Sequence, residues 1–109
     1  NRHTLIIGNS LSTVPEYFKK ENIKFDLIFI DGGHSYNVAK GDILNCKNLA
    51  HDKTIVVLDD TINNKDWILS WNKGPNRAWK EAKDSNMIKE IDSIDFGRGR
   101  GQSWGYYNF

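Results

Sequence analysis

The chain has a single cysteine, a single methionine, two prolines and no long hydrophobic run. Cys46 has no partner for an internal disulfide, which suits a reducing compartment and a cytoplasmic location. No segment approaches the roughly 20 apolar residues a membrane span requires, and no secretory leader pattern opens the chain. No membrane partner is therefore expected. Excess charge of one sign is also missing: 15 Lys and Arg face 14 Asp and Glu, a net charge of +1. Such a balance gives no global attraction to nucleic acid. Internal repeats and low-complexity linkers are absent as well. Asn1-Arg2-His3 runs into an apolar segment without a starting methionine, so the chain is expected to begin partway through a domain.

What is present suits one globular domain over residues 1–109, with 39% hydrophobic and 27% charged residues. A chain of that length buries roughly two-thirds of its unfolded surface. Its organising stretch is Phe25-Asp26-Leu27-Ile28-Phe29-Ile30-Asp31-Gly32-Gly33-His34. A strand that is apolar on both sides and stops at a carboxylate, two glycines and an imidazole reads as central in a parallel sheet. Its chemistry would lie at the C-terminal edge. Thr54-Ile55-Val56-Val57-Leu58-Asp59-Asp60 repeats the design.

Around these two strands the chain alternates. His3–Gly8 reads as a short strand closed by a Gly8-Asn9-Ser10 turn. Ser12 or Thr13 then caps a helix that tolerates Pro15 in its first turn. Ser35 caps a second helix through about Leu49, with Ala39, Ile43, Cys46 and Ala50 on one buried stripe. Gly41 inside it costs about 1 kcal/mol relative to Ala, which implies a close packing contact. His51-Asp52-Lys53 reads as a turn. Residues 61–73 carry no clear period; Trp67, Ile68 and Trp71 suit a short helix or a folded loop. Pro75 opens a helix to about Ser85, with Ala78, Trp79 and Ala82 inward. Residues 87–96 and 102–109 read as an antiparallel hairpin turned by Gly97–Gly101. The expectation is an α/β three-layer sandwich: a mostly parallel sheet, helices on both faces, and a C-terminal antiparallel hairpin.

Asp31, Asp59 and Asp60 fall at the tips of strands expected to be neighbours. Adjacent strands lie about 4.8 Å apart, so the carboxylates can share one coordination sphere. An all-oxygen set of that charge suits Mg²⁺ or another hard divalent cation. The plain alternative is that Asp31 and Asp59 cap helices and Asp60 is solvated. His34 could take a proton from a substrate hydroxyl, cap its helix, or ligate the ion. Gly97–Gly101 with Trp104, Tyr106, Tyr107 and Phe109 could bind single strands, but alternates as a half-buried hairpin does. No nucleic-acid partner is expected. Trp67, Trp71 and Trp79 are read as core or loop clamp; the Trp67–Trp71 segment is the one that could meet substrate.

Strand-Gly-Asn-Ser, then Phe-Asp-Leu-Ile-Phe-Ile-Asp-Gly-Gly-His-Ser-Tyr, a helix, and Ile-Val-Val-Leu-Asp-Asp together resemble the C-terminal part of Rossmann-like S-adenosylmethionine-dependent methyltransferases. The likeness is greatest to the small-molecule O-methyltransferases, including metal-dependent catechol and sugar enzymes. The resemblance implies S-adenosylmethionine and Mg²⁺ as cofactors and a small-molecule hydroxyl as acceptor. It implies Asp31, Asp59 and Asp60 as metal ligands and His34 as the residue that deprotonates the acceptor. Gly8, Ser10 and Asp31 would contact the cofactor, Ser10 against its adenine. The family's glycine-rich cofactor loop and ribose-binding acid have no counterpart before Leu5, so the expectation is an N-terminally truncated domain, the alternative being a sheet that has closed the gap. Two other readings are a degenerate, non-catalytic α/β interaction module and a Mg²⁺-dependent phosphohydrolase, the latter without a nucleophile or phosphate loop.

Overall fold

The computed structural model describes residues 3–63 and 71–109. Seven elements follow one another: α1 (Ser10–Glu21), β1 (Phe25–Ile30), α2 (Tyr36–Lys47), β2 (Ala50–Asp59), α3 (Lys73–Asp84), β3 (Ile88–Gly97) and β4 (Arg100–Tyr107). The sheet order is β1-β2-β4-β3. β1 and β2 are parallel, with Ile30 opposite Leu58, so the two acidic tips emerge side by side. β4 runs antiparallel to both β2 and β3. Arg98 and Gly99 turn the hairpin with positive φ at both positions, the backbone a two-residue turn between right-twisted strands requires. This is the expected α/β, Rossmann-like arrangement, with its closing antiparallel hairpin.

Helices α1, α2 and α3 pack side by side, α2 against both of the others. They lie on the face carrying Ile28, Ile30, Val56, Leu58 and Tyr107, where Ala39, Ile43, Cys46, Ala78, Trp79 and Ala82 complete the core. Leu27 and Phe29 point to the other face and are exposed. The described residues thus form two layers where helices on both faces were expected. The reason is topological: crossovers are right-handed, so helices change face only where the strand order reverses. Both helical crossovers, β1 to β2 and β2 to β3, advance in the same direction along the sheet, so α2 and α3 share a face.

Local chemistry explains most element boundaries. Ser35 caps α2, its Oγ accepting from the Val38 amide at 3.2 Å. Gly41 is the point where α2 meets α1: a Cβ there would overlap a methyl group of Leu11. The α1 cap is Asn9, whose Oδ1 accepts from the Leu11 amide at 3.0 Å, in place of Ser12 or Thr13. Pro15 consequently lies inside the helix, past its first turn. The segment before Gly8 is irregular, with Leu5 and Ile7 largely exposed. It pairs with no described strand, and a lone strand leaves its backbone groups unbonded. His51-Asp52-Lys53 belongs to β2, at an irregularity where Phe25 pairs with Ala50 and Leu27 with Ile55.

Candidate active site

The site is built where two parallel strands end together. Asp31 follows β1, Asp59 closes β2 and Asp60 follows it. Each contributes a carboxylate oxygen to a group whose atoms all lie within 4.8 Å of one another. Asp60 is buried and held in the left-handed region at φ 60°, a conformation uncommon for a residue with a Cβ. Its amide donates to the Gly101 carbonyl at 2.8 Å, so the hairpin fixes the turn that presents its carboxylate.

His34 reaches back across the site. Its Nε2 lies 2.8 Å from Asp60 Oδ2, with the imidazole about half exposed (46%) and the carboxylate nearly covered (11%). A carboxylate only accepts, so in the neutral imidazole Nε2 carries the proton of this bond and Nδ1 is the unprotonated nitrogen. Trp71 packs beside the ring, centroids 5.2 Å apart, and the Arg100 guanidinium lies 5.8 Å from the Trp71 ring centroid. Trp71 therefore flanks the imidazole, with Arg100 on its ring. Trp71 belongs to the segment that the sequence offers as a substrate contact, whereas Arg100 reads in the sequence only as part of a turn. Trp67 lies outside the described residues, and Trp79 is core, its Nε1 donating to Glu90 at 2.6 Å.

The electrostatics are those of charge held too close. Burial raises the Asp31 pKa above the ordinary value of 3.8, and the charge of Asp59, a hydrogen bond shared with it, and the charge of Asp60 add to the rise. His34 opposes the shift. Like charges brought together hold a proton more tightly than an isolated carboxylate does, and a bound cation relieves the repulsion. The all-oxygen donor set and its mutual distances fit a hard divalent ion. Cys46, by contrast, offers no reactive thiol: burial, and next the charge of Asp42, push it up to about 12.

The residues expected at the cofactor are brought together in part. Gly8 and Ser10 line a broad groove of about 700 Å³ along α1, whereas Ser10 and Asp31 share a smaller one of about 210 Å³. Ser10 therefore forms the ridge between the two.

A Rossmann-like α/β sheet with acids at the tips of adjacent parallel strands defines a class that sequence comparison can specify. Residues 1–61, more than half the chain, match the family described as a methyltransferase domain, and the protein belongs to that family. Three solved structures share the fold at low identity. The methyltransferase PaMTH1 of Podospora anserina, bound to SAH, superposes with a TM-score of 0.71 at 16% identity, covering 100% of this chain and 50% of that one. CalS11, a TDP-rhamnose 3'-O-methyltransferase of calicheamicin biosynthesis, gives 0.65 at 18%, covering 96% and 42%. The fibrillarin pre-rRNA processing protein of Methanococcus jannaschii gives 0.58 at 20%, covering 94% and 44%. The chain spans about half the length of these structures. Comparison with curated proteins finds no match. No helix among the described residues is long and apolar enough to cross a membrane.

Proposed function

We propose that the chain carries the acceptor side of a metal-assisted O-methyltransferase, moving a methyl group from S-adenosylmethionine to a hydroxyl of a small molecule. The observation that carries this reading is the convergence of Asp31, Asp59 and Asp60 with His34 bonded to Asp60. Membership of the methyltransferase family and the likeness to a sugar O-methyltransferase support it.

In this reading Asp31, Asp59 and Asp60 hold Mg²⁺ or another hard divalent cation, and Gly8, Ser10 and Asp31 contact the cofactor. When bound, the ion supplies Lewis acidity that lowers the acceptor's pKa, and the cofactor supplies an electrophilic methyl group. The protein's own part is proton movement and placement. Asp60 accepts from His34 Nε2–H, which orients the ring and stabilises the imidazolium that forms when Nδ1 takes the acceptor's proton. A carboxylate has two oxygens, so Asp60 can serve ion and imidazole together. Trp71 limits water beside the ring, and bringing two reactants into one orientation supplies much of the acceleration.

The test is methyl transfer from labelled S-adenosylmethionine to a panel of small hydroxyl acceptors, with Mg²⁺ and with chelator. Transfer that falls with chelator and with Asp31→Asn is the expected result. Transfer indifferent to both overturns the metal role. Binding of cofactor and ion without transfer to any acceptor returns the chain to a non-catalytic α/β module.

A further inference from the structure

One buried polar group has no role in the site described so far. Asp42 lies on α2 within the stripe of Ala39, Ile43 and Cys46 and is 4% exposed. Its Oδ1 has no hydrogen-bond partner among the described residues. A buried carboxylate left unpaired is costly to keep, and such groups call for an explanation. Asp42 lines the groove of about 210 Å³ together with Ser10, Val14, Ile30, Asp31 and Gly32. Gly32 permits the approach: a Cβ there would lie 2.9 Å from Asp42 Oδ2. No Lys, Arg or His lines this groove among the described residues, while two carboxylates do. Such a lining repels phosphate or carboxylate and selects a hydrogen-bond donor or a cation.

We propose that Asp42 is the acceptor for an amino group of the bound cofactor, in a groove between the start of α1 and the loop after β1. The inference rests on the cofactor reading above. S-Adenosylmethionine offers two such groups, the exocyclic amine of the base and the α-amino group of its methionine part. Both are donors, and either would pair with the Asp42 carboxylate where it lines the groove beside Gly32.

Calorimetric titration of the chain in Mg²⁺ with three probes separates them: S-adenosylhomocysteine, S-inosylhomocysteine, which lacks the base amine, and the desamino analogue, which lacks the α-amino group. The chain should bind S-adenosylhomocysteine about tenfold or more tightly than one of the analogues, the loss of a charge-assisted hydrogen bond. The analogue that binds weakly identifies the amine. Asp42→Leu, which keeps the approximate shape and removes the acceptor, should bring S-adenosylhomocysteine down to that analogue's affinity and leave the analogue itself unchanged. Equal binding of all three probes, or an Asp42→Leu variant that weakens all three alike, overturns the inference and spares the cofactor reading. Failure of the unaltered chain to bind any of them overturns the cofactor reading and the inference with it.

Discussion

His34 Nε2 and Asp60 Oδ2 lie 2.8 Å apart, joining the loop after β1 to the turn after β2. The pair couples the imidazole to a member of the acidic cluster. Because the imidazole is about half exposed, its bond to Asp60 adds little stability, under about 1 kcal/mol. His34→Gln should therefore leave the denaturation midpoint nearly unchanged. Methyl transfer should fall by roughly 10²–10⁴-fold, the loss expected for a general base. Unchanged turnover would remove His34 from the mechanism.

The acidic cluster should leave a mark on stability without any ion. Asp31 has a native pKa raised above 3.8. Its favourable contribution is therefore complete below the ordinary carboxylate range and is lost as pH rises through the raised native value. In chelator, the stability of Asp31→Asn relative to the unaltered chain should increase as pH is raised across that window. Urea denaturation at a series of pH values measures it. A difference that does not change with pH would contradict the crowding of charge.

Gly74 couples α3 to the loop bearing His34. A Cβ at that position would lie 2.6 Å from the Tyr36 nitrogen and 2.8 Å from the Ser35 carbonyl carbon, and would collide with the His34 carbonyl oxygen. Gly74→Ala should cost about 1–3 kcal/mol, the usual penalty of overpacking. Wild-type stability in urea would show that helix and loop part easily.

Asn72 holds the segment after Asp60 in place. Fully buried, it donates to the carbonyls of Ile62 at 2.5 Å and Gly99 at 2.7 Å and accepts from Asn63 at 2.7 Å. Asn72→Ala strands these groups and should destabilise the chain by about 1–3 kcal/mol. A loss below half a kcal/mol by urea denaturation would mean that water replaces the amide at about no cost.

The hub strand and the acidic tips were legible because their signals are local. An apolar run ending in Asp31, repeated at Asp59 and Asp60, needs only parallel neighbours to converge, and β1 and β2 supply them. The helix stripe of Ala39, Ile43 and Cys46 follows from spacing in the same way, although Ala50, expected to extend it, begins β2. The Gly41 contact follows from glycine's poor helix propensity. What stayed hidden depends on distant partners. Asn72 reads as solvated beside Gly74 and Pro75, yet its acceptors come from the loop after β2 and the hairpin turn. Arg100 comes beside Trp71 only because β4 lies beside β2. Asn9 competed with Ser12 and Thr13 for the cap, and Pro15 misleadingly favoured the later start. Asp42 did carry a signal: three residues after Ala39 and four before Cys46, it lies within the buried stripe. The segment before Gly8 has strand composition, but composition supplies no pairing partner.

The account turns on whether Asp31, Asp59 and Asp60 hold one divalent ion. Calorimetric titration of the chain with Mg²⁺ near neutral pH, repeated on Asp31→Asn, addresses it most directly. One ion bound per chain, with the heat lost in the variant, is the predicted result. An unaltered chain that takes up no Mg²⁺, or a variant that binds it as tightly, would contradict the account.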